Sequence, residues 1–266
     1  MKYKTAVVVV SLALASVVLI GAARGLSSRA AVQKKQAVAS FYPVYIAALN
    51  VAAGADDMRV VNLTQSQTGC LHDFTLRPQD MITLEGASLF LTNGAGMENF
   101  LDEVVRSLPA LPVVDSSKGV SLLHTEASIE VGTEHEEEGE NAHIWMSIPR
   151  YEQQIRNISA GLSAQFPQDA QIYAKNTENY IARVEALRAE MTEVLAGAKG
   201  MRVILFHDSF AYFADDFGME VAATIPVEAD TALSAGQIAQ IVSEINSTGI
   251  HERILMPGDG PRLGGD

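Results

Sequence analysis

The stretch Ala37-Val38-Ala39-Ser40-Phe41-Tyr42-Pro43-Val44-Tyr45-Ile46-Ala47-Ala48-Leu49-Asn50-Val51 decides the fold class. Ala37–Phe41 is a short apolar run that reads as a strand. Pro43 has the fixed φ that suits a helix start, and Tyr45, Ala48, Leu49 and Ala52 follow at helical spacing. Met58–Leu63 then reads as a second strand. A strand, a helix and a strand in so short a span form a crossover unit, which implies parallel pairing.

The same rhythm continues on the C-terminal side. Pro78 opens a helix through Met81 and Leu84, and Ala87–Thr92 is a third strand. Gly94-Ala95-Gly96 turns the chain into a helix over Phe100, Leu101, Val104 and Leu108, before a fourth strand at Val113–Val114. Between His124 and Asn141 the composition shifts to Gly and Glu, with Glu134, Glu136, Glu137, Glu138 and Glu140 clustered. Like charges with little apolar surface predict a solvated loop. One helix then runs to Phe166 and stops at Pro167. A second spans Asp169–Ala196, with Tyr173, Tyr180, Val184, Leu187, Met191 and Val194 on one stripe. At 1.5 Å per residue it would measure roughly 40 Å, a connecting rod.

Beyond Gly200 the alternation resumes. Val203–Phe206, Val221–Ile225 and Arg253–Met256 read as strands, and Phe210–Phe217 and Ser234–Ile245 as helices. Of the ten residues from Pro257 to Asp266, six are Gly or Pro, which disfavours helix and strand alike. The predicted fold is α/β, with two lobes of mainly parallel sheet flanked by helices and joined by one long helix. The C-terminal lobe has fewer elements than the first. The expected organisation is a signal peptide over 1–30, an N-terminal α/β lobe over 31–166 carrying the acidic loop 124–141, a linking helix over 168–198, and a partial C-terminal lobe over 199–266.

The leader rests on Lys2 and Lys4, the unbroken apolar run from Thr5 to Ile20, and the small residues Gly21-Ala22-Ala23. It predicts export to the periplasm or the outer face of the cytoplasmic membrane. No cysteine follows the run to take a lipid. The 266 residues carry 19 Lys+Arg against 32 Asp+Glu, a net charge of −13. Such an acidic surface excludes nucleic acid as the expected partner and favours cations. The single Cys70 excludes an internal disulfide framework and any cysteine-rich zinc cluster.

Six histidines remain, and three share a setting. His72 follows the second strand, His143 precedes a helix, and His207 ends a strand. Ligands of open α/β sheets gather beyond the carboxyl ends of strands, so these loops can converge between the lobes. Three neutral imidazoles suit zinc, with a carboxylate or water as fourth ligand. Taken singly, each histidine reads equally as an ordinary hydrogen-bonded residue, and the spacing is too wide for a local metal motif.

Ser40-Phe41-Tyr42-Pro43, Leu71-His72-Asp73-Phe74, Leu91-Thr92-Asn93-Gly94-Ala95-Gly96-Met97-Glu98, His143-Ile144-Trp145 and Phe206-His207-Asp208-Ser209-Phe210-Ala211-Tyr212-Phe213 together resemble the zinc-binding members of the metal-specific solute-binding proteins of ABC importers. The motifs come in the family's order and cover roughly residues 37 to 250. The resemblance implies two α/β lobes with a metal between them, zinc as cargo, an importer permease as partner and a monomer. It carries the ligand role onto His72, His143 and His207. Manganese-type relatives place a glutamate where His207 stands, and imidazole favours zinc over manganese. The acidic loop is like the family's variable, often histidine-rich loop, but holds only His135, with His124 nearby.

The family continues past Arg253–Met256 with an acidic segment and further strands and helices, usually including a carboxylate that faces the metal. Here the Gly/Pro stretch stands in that place. A three-histidine site open to solvent, with Asp259 a poor substitute ligand, is the resulting expectation. Asp73 and Asp208 are candidates to orient the histidines they follow, or to cap loops and helices. Trp145 and Tyr212 read as packing residues beside the site, and Cys70 as a small buried residue. The competing functions are a zinc hydrolase, for which no His-Glu-x-x-His motif is present, and a surface adhesin without a transport role.

Overall fold

The computed structural model describes residues 35–64, 71, 74–124, 139–224, 234–248 and 254–255. All but Lys35 belong to one compact unit spanning 36–266. The leader, most of the acidic loop and the Gly/Pro stretch lie outside the described residues, as do Cys70, His72, Asp73, His135, His251 and Asp259.

Two sheets organise the chain. The first holds β1 (Lys35–Ala39), β2 (Met58–Asn62), β3 (Leu89–Thr92) and β4 (Val113–Asp115) in the order β2-β1-β3-β4. β3 runs parallel to both of its neighbours, with Ala37 opposite Leu89 and Phe90 opposite Val113. All four residues of β3 are buried, the continuous apolar run expected of a parallel strand covered on both faces. The second sheet has β5 (Arg202–Leu205), β6 (Glu220–Thr224) and β7 (Ile254–Leu255) in the order β6-β5-β7, with β5 parallel to both.

The helices are α1 (Tyr42–Val51), α2 (Pro78–Glu85), α3 (Leu101–Ser107), α4 (Ile148–Gln165), α5 (Ala170–Val194), α6 (Ala211–Asp216) and α7 (Ala235–Thr248). Pro43, Pro78 and Pro149 each occupy a first-turn position, where the missing N–H has no helical partner to lose. Val44, Ala47, Ala48 and Val51 of α1 and Ile155, Ile158 and Leu162 of α4 join the strands in one core. The core of the second sheet is much smaller, centred on Val203, Leu205 and Ala214.

The 25 residues of α5 give the predicted long helix, about 37 Å at the helical rise. Its buried stripe differs from the predicted one. Tyr173, Thr177 and Ile181 are buried at steps of four, whereas Leu187 is 52% and Val194 83% exposed. The core around the first sheet extends along α5 only as far as Val184, so the later members of the apolar pattern have no neighbouring layer.

Two consequences are measurable. Gly161 of α4 packs directly on β4, and a Cβ there would lie 2.5 Å from Val114 Cγ2. Helix propensity alone would reward Gly161→Ala by about 1 kcal/mol, but the overlap reverses the sign. We expect a net loss of roughly 1–3 kcal/mol in urea unfolding. Glu152 of α4 sits beside Glu185 of α5; burial and then that neighbour push its carboxyl up to about 7. A carboxyl raised on folding contributes stability below its unfolded value near 4.5 and loses it as pH rises through about 7. Glu152→Gln should therefore raise thermal stability at alkaline pH relative to wild type and make the difference vanish in mild acid.

Candidate metal centre

Both sheets reverse their strand order at the point that matters. In the first, the crossovers from β1 and into β3 leave on opposite sides; in the second, β5 lies between β6 and β7. A crevice opens beyond the carboxyl ends of strands at such points. Asn93 leaves β3 there, and His207 leaves β5.

His207 is extended and caps a short 3-10 turn, Asp208–Phe210, that leads into α6. His143 caps a matching turn, Ile144–Met146, just before α4, and is 1% exposed. The two rings face each other edge to face with centroids 5.0 Å apart. Trp145 lies against His143 at 5.1 Å and meets Phe41 at 4.8 Å on its other contact. One donor atom each from His143, His207 and Asp208 falls within 4.8 Å of the others, the metal-competent cluster among the described residues.

Hydrogen bonds hold both rings through their Nδ1 atoms. Asn141 Oδ1 accepts the backbone N–H of His143 at 2.9 Å, and Asn141 Nδ2 donates to the carbonyl of Asp208 at 3.0 Å. Those two backbone partners settle the orientation of the amide. Its oxygen also meets His143 Nδ1 at 2.9 Å, so Nδ1 carries a proton, and in the neutral ring Nε2 is the nitrogen left with a lone pair. Asp208 Oδ1 lies 3.3 Å from His143 Nδ1 and 3.0 Å from His207 Nδ1. The N–H of Ser209 also points at His207 Nδ1, at 3.1 Å. That nitrogen accepts from the turn it caps while also lying beside the Asp208 carboxylate. Burial would push the Asp208 carboxyl up, but the two imidazoles more than offset it and hold it well below the usual carboxylate range. Asp208 thus orients both rings.

The loop bearing His143 is pinned from behind. Asn93 Nδ2 donates to the carbonyl of Ala142 at 2.9 Å, and Gln154 of α4 donates to Asn93 Oδ1 at 3.0 Å. Glu98, 6% exposed, accepts the N–H groups of Asn93 and Gly94 at 2.7 and 3.1 Å. Burial pushes its carboxyl up, and these N–H groups only partly offset that. Gly94 has φ +82°, and a Cβ there would overlap Asp115 Oδ1, so any other residue would be strained and would displace the Asp115 side chain.

The second sheet grips the same region. Asp216 of α6 accepts the hydroxyl of Ser147 at 2.8 Å and the N–H of Ile148 at 2.9 Å, capping α4. Arg150 donates to Asp215 at 3.0 Å and lies over the ring of Tyr212 at 4.8 Å. Tyr212 is fully buried, and its hydroxyl donates to the carbonyl of Asn141 at 2.6 Å.

Of the sequence-selected ligands, His143 and His207 come together, and His72 lies outside the described residues. His124 is exposed and pairs with Glu140 in an isolated antiparallel bridge. Sequence reasoning passed over Asn141. The available signal was an Asn two residues before a histidine, the spacing of an Asx-turn. Tyr212 packs beside the site as expected, but its hydroxyl bonds were not anticipated.

The architecture is that of the metal-binding solute-binding proteins. The family described as zinc-uptake complex component A, periplasmic, matches residues 37–256, and the chain belongs to it. The zinc-binding protein AdcA of Streptococcus pyogenes serotype M3 is 27% identical over 232 residues, covering 82% of this chain and 44% of its own length. The high-affinity zinc uptake system protein ZnuA of Bacillus subtilis is 26% identical over 221 residues, covering 78% of this chain and 66% of its own. The chain thus spans less than two thirds of either relative. The Zn(II)-bound ZnuA-like domain of Streptococcus pneumoniae AdcA superposes with a TM-score of 0.68 at 23% identity, over 84% of this chain and 78% of that one.

Removing the amide that orients His143 should be felt by any bound metal. We expect Asn141→Leu to weaken divalent-metal affinity by roughly 10–100-fold, read by competition with a chromophoric chelator.

Proposed function

We propose that the chain captures zinc in the crevice between its two sheets and delivers it to the permease of an ABC importer, outside the cytoplasmic membrane. The observation that carries the proposal is the meeting of His143 and His207, from different sheets, at a ring separation of 5.0 Å. Nε2 of His143 and the ring of His207 are the candidate ligands, with His72 as the third. Imidazole donors favour zinc over manganese. In the same proposal residues 1–30 are an export signal, 31–166 and 199–266 are the lobes, and 168–198 is the linking helix. The protein acts as a monomer and as a carrier without catalytic turnover. A hydrolytic centre needs a base ready to take a proton from metal-bound water, and Asp208 is instead engaged with both rings.

Protons compete with zinc for imidazole, so affinity should fall as pH drops through about 6.5. Isothermal titration should give one zinc per wild-type chain. His143→Ala and His207→Ala should each weaken binding by roughly a hundredfold or more. Unchanged binding in both variants would refute the site, and an absence of binding in the wild type would refute zinc capture.

A further inference from the structure

The acidic loop leaves the first lobe through a neck that is only half closed by its own backbone. The N–H of Asn141 donates to the carbonyl of Leu123 at 2.8 Å, and the next residues, His124 and Glu140, form an antiparallel bridge. In a hydrogen-bonded antiparallel pair the return bond would run from the N–H of Leu123 to the carbonyl of Asn141. Here the hydroxyl of Tyr212 stands between them. It accepts the N–H of Leu123 at 3.1 Å and donates to the carbonyl of Asn141 at 2.6 Å. A side chain from the second lobe thus completes a backbone pair of the first.

Besides its N–H bond to Leu123, Asn141 is held at three further points. Tyr212 takes its carbonyl, Asp208 takes its Nδ2, and His143 takes its Oδ1. Two of those partners come from the turn and helix that follow His207. The Tyr212 ring is itself fixed by the Arg150 guanidinium 4.8 Å from its centre, and Arg150 is tied to Asp215 and to Ser147.

We propose that Tyr212 is a positioning residue for metal capture: by closing the neck at Leu123 and Asn141, it holds the Asn141 amide that sets the His143 tautomer. It touches no ligand nitrogen in this role. It makes the orientation of a first-lobe histidine depend on the docking of the second lobe. The proposal deepens the zinc reading and rests on it for its functional consequence, although its geometric part does not require a metal.

Tyr212→Phe tests it. The change keeps the ring under Arg150 and leaves the Leu123 N–H and the Asn141 carbonyl without their bridge. Loss of that pair should weaken zinc binding roughly 5- to 50-fold, mainly through faster release to a chelator in stopped flow. In metal-free protein, nitrogen-15 spectra of the histidine rings should show His143 as the Nδ1–H form in wild type and as a mixture of tautomers in Tyr212→Phe. Arg150→Lys, which removes the planar stack but keeps the charge, should move both readouts in the same direction by less. It also serves if Tyr212→Phe does not fold. A lower melting temperature with unchanged zinc release and an unchanged His143 tautomer would reduce Tyr212 to packing and overturn the proposal. If wild type binds no zinc, zinc capture fails, and the metal-free tautomer readout still decides the role of Tyr212.

Discussion

A single side-chain amide, that of Asn141, joins the two halves of the centre. Its oxygen is committed to His143 and its nitrogen to the carbonyl of Asp208, so neither end can be exchanged for the other. Reversing the amide would set a donor against the His143 N–H and an acceptor against a carbonyl. Each buried mismatch of that kind costs about 1–3 kcal/mol. The ring orientation of His143 is thereby coupled to the backbone that follows β5.

Most of the polar groups behind this joint are buried and paired, so the surroundings of the two histidines are ordered without being apolar. Asn93, Gln154 and Ser116 bond to one another across β3, β4 and α4. Asn157 of α4 takes the carbonyls of Ser116 and Lys118 at 2.8 Å each, fixing the chain that follows β4. Of Asn93, Gln154 and Ser116, Gln154 alone keeps a buried atom, Oε1, without a hydrogen-bond partner, and the other bonds hold the strands and helix in one register.

Much of this was legible in the amino-acid order. Strands and helices follow from apolar runs and from Pro43 and Pro78, and the assigned boundaries fall within a few residues of the observed ones because those signals are local. The quoted motifs led to the family, and the histidines beside them include the pair that meets. The apolar pattern of α5 was a poorer guide. Periodicity reports which face could be buried, and only neighbouring layers decide how far along the helix burial extends. Asn141 and Tyr212 were opaque for a related reason. Their partners lie 67 and 71 positions away in the chain, and no local spacing encodes such a contact. The roles of Glu98 and Arg150 depend in the same way on what surrounds them in the folded chain.

The Asp216 cap also bears on how α4 meets α6. An 18-residue helix gathers partial positive charge at its beginning, and α4 has no acidic residue in its first turn to answer it. The carboxylate that does so is lent by the opposite lobe. Without Asp216, α4 would keep only the Ser147 hydroxyl as a cap on its leading amides. The macrodipole of α4 therefore attracts Asp216 and favours the apposed arrangement of α4 and α6.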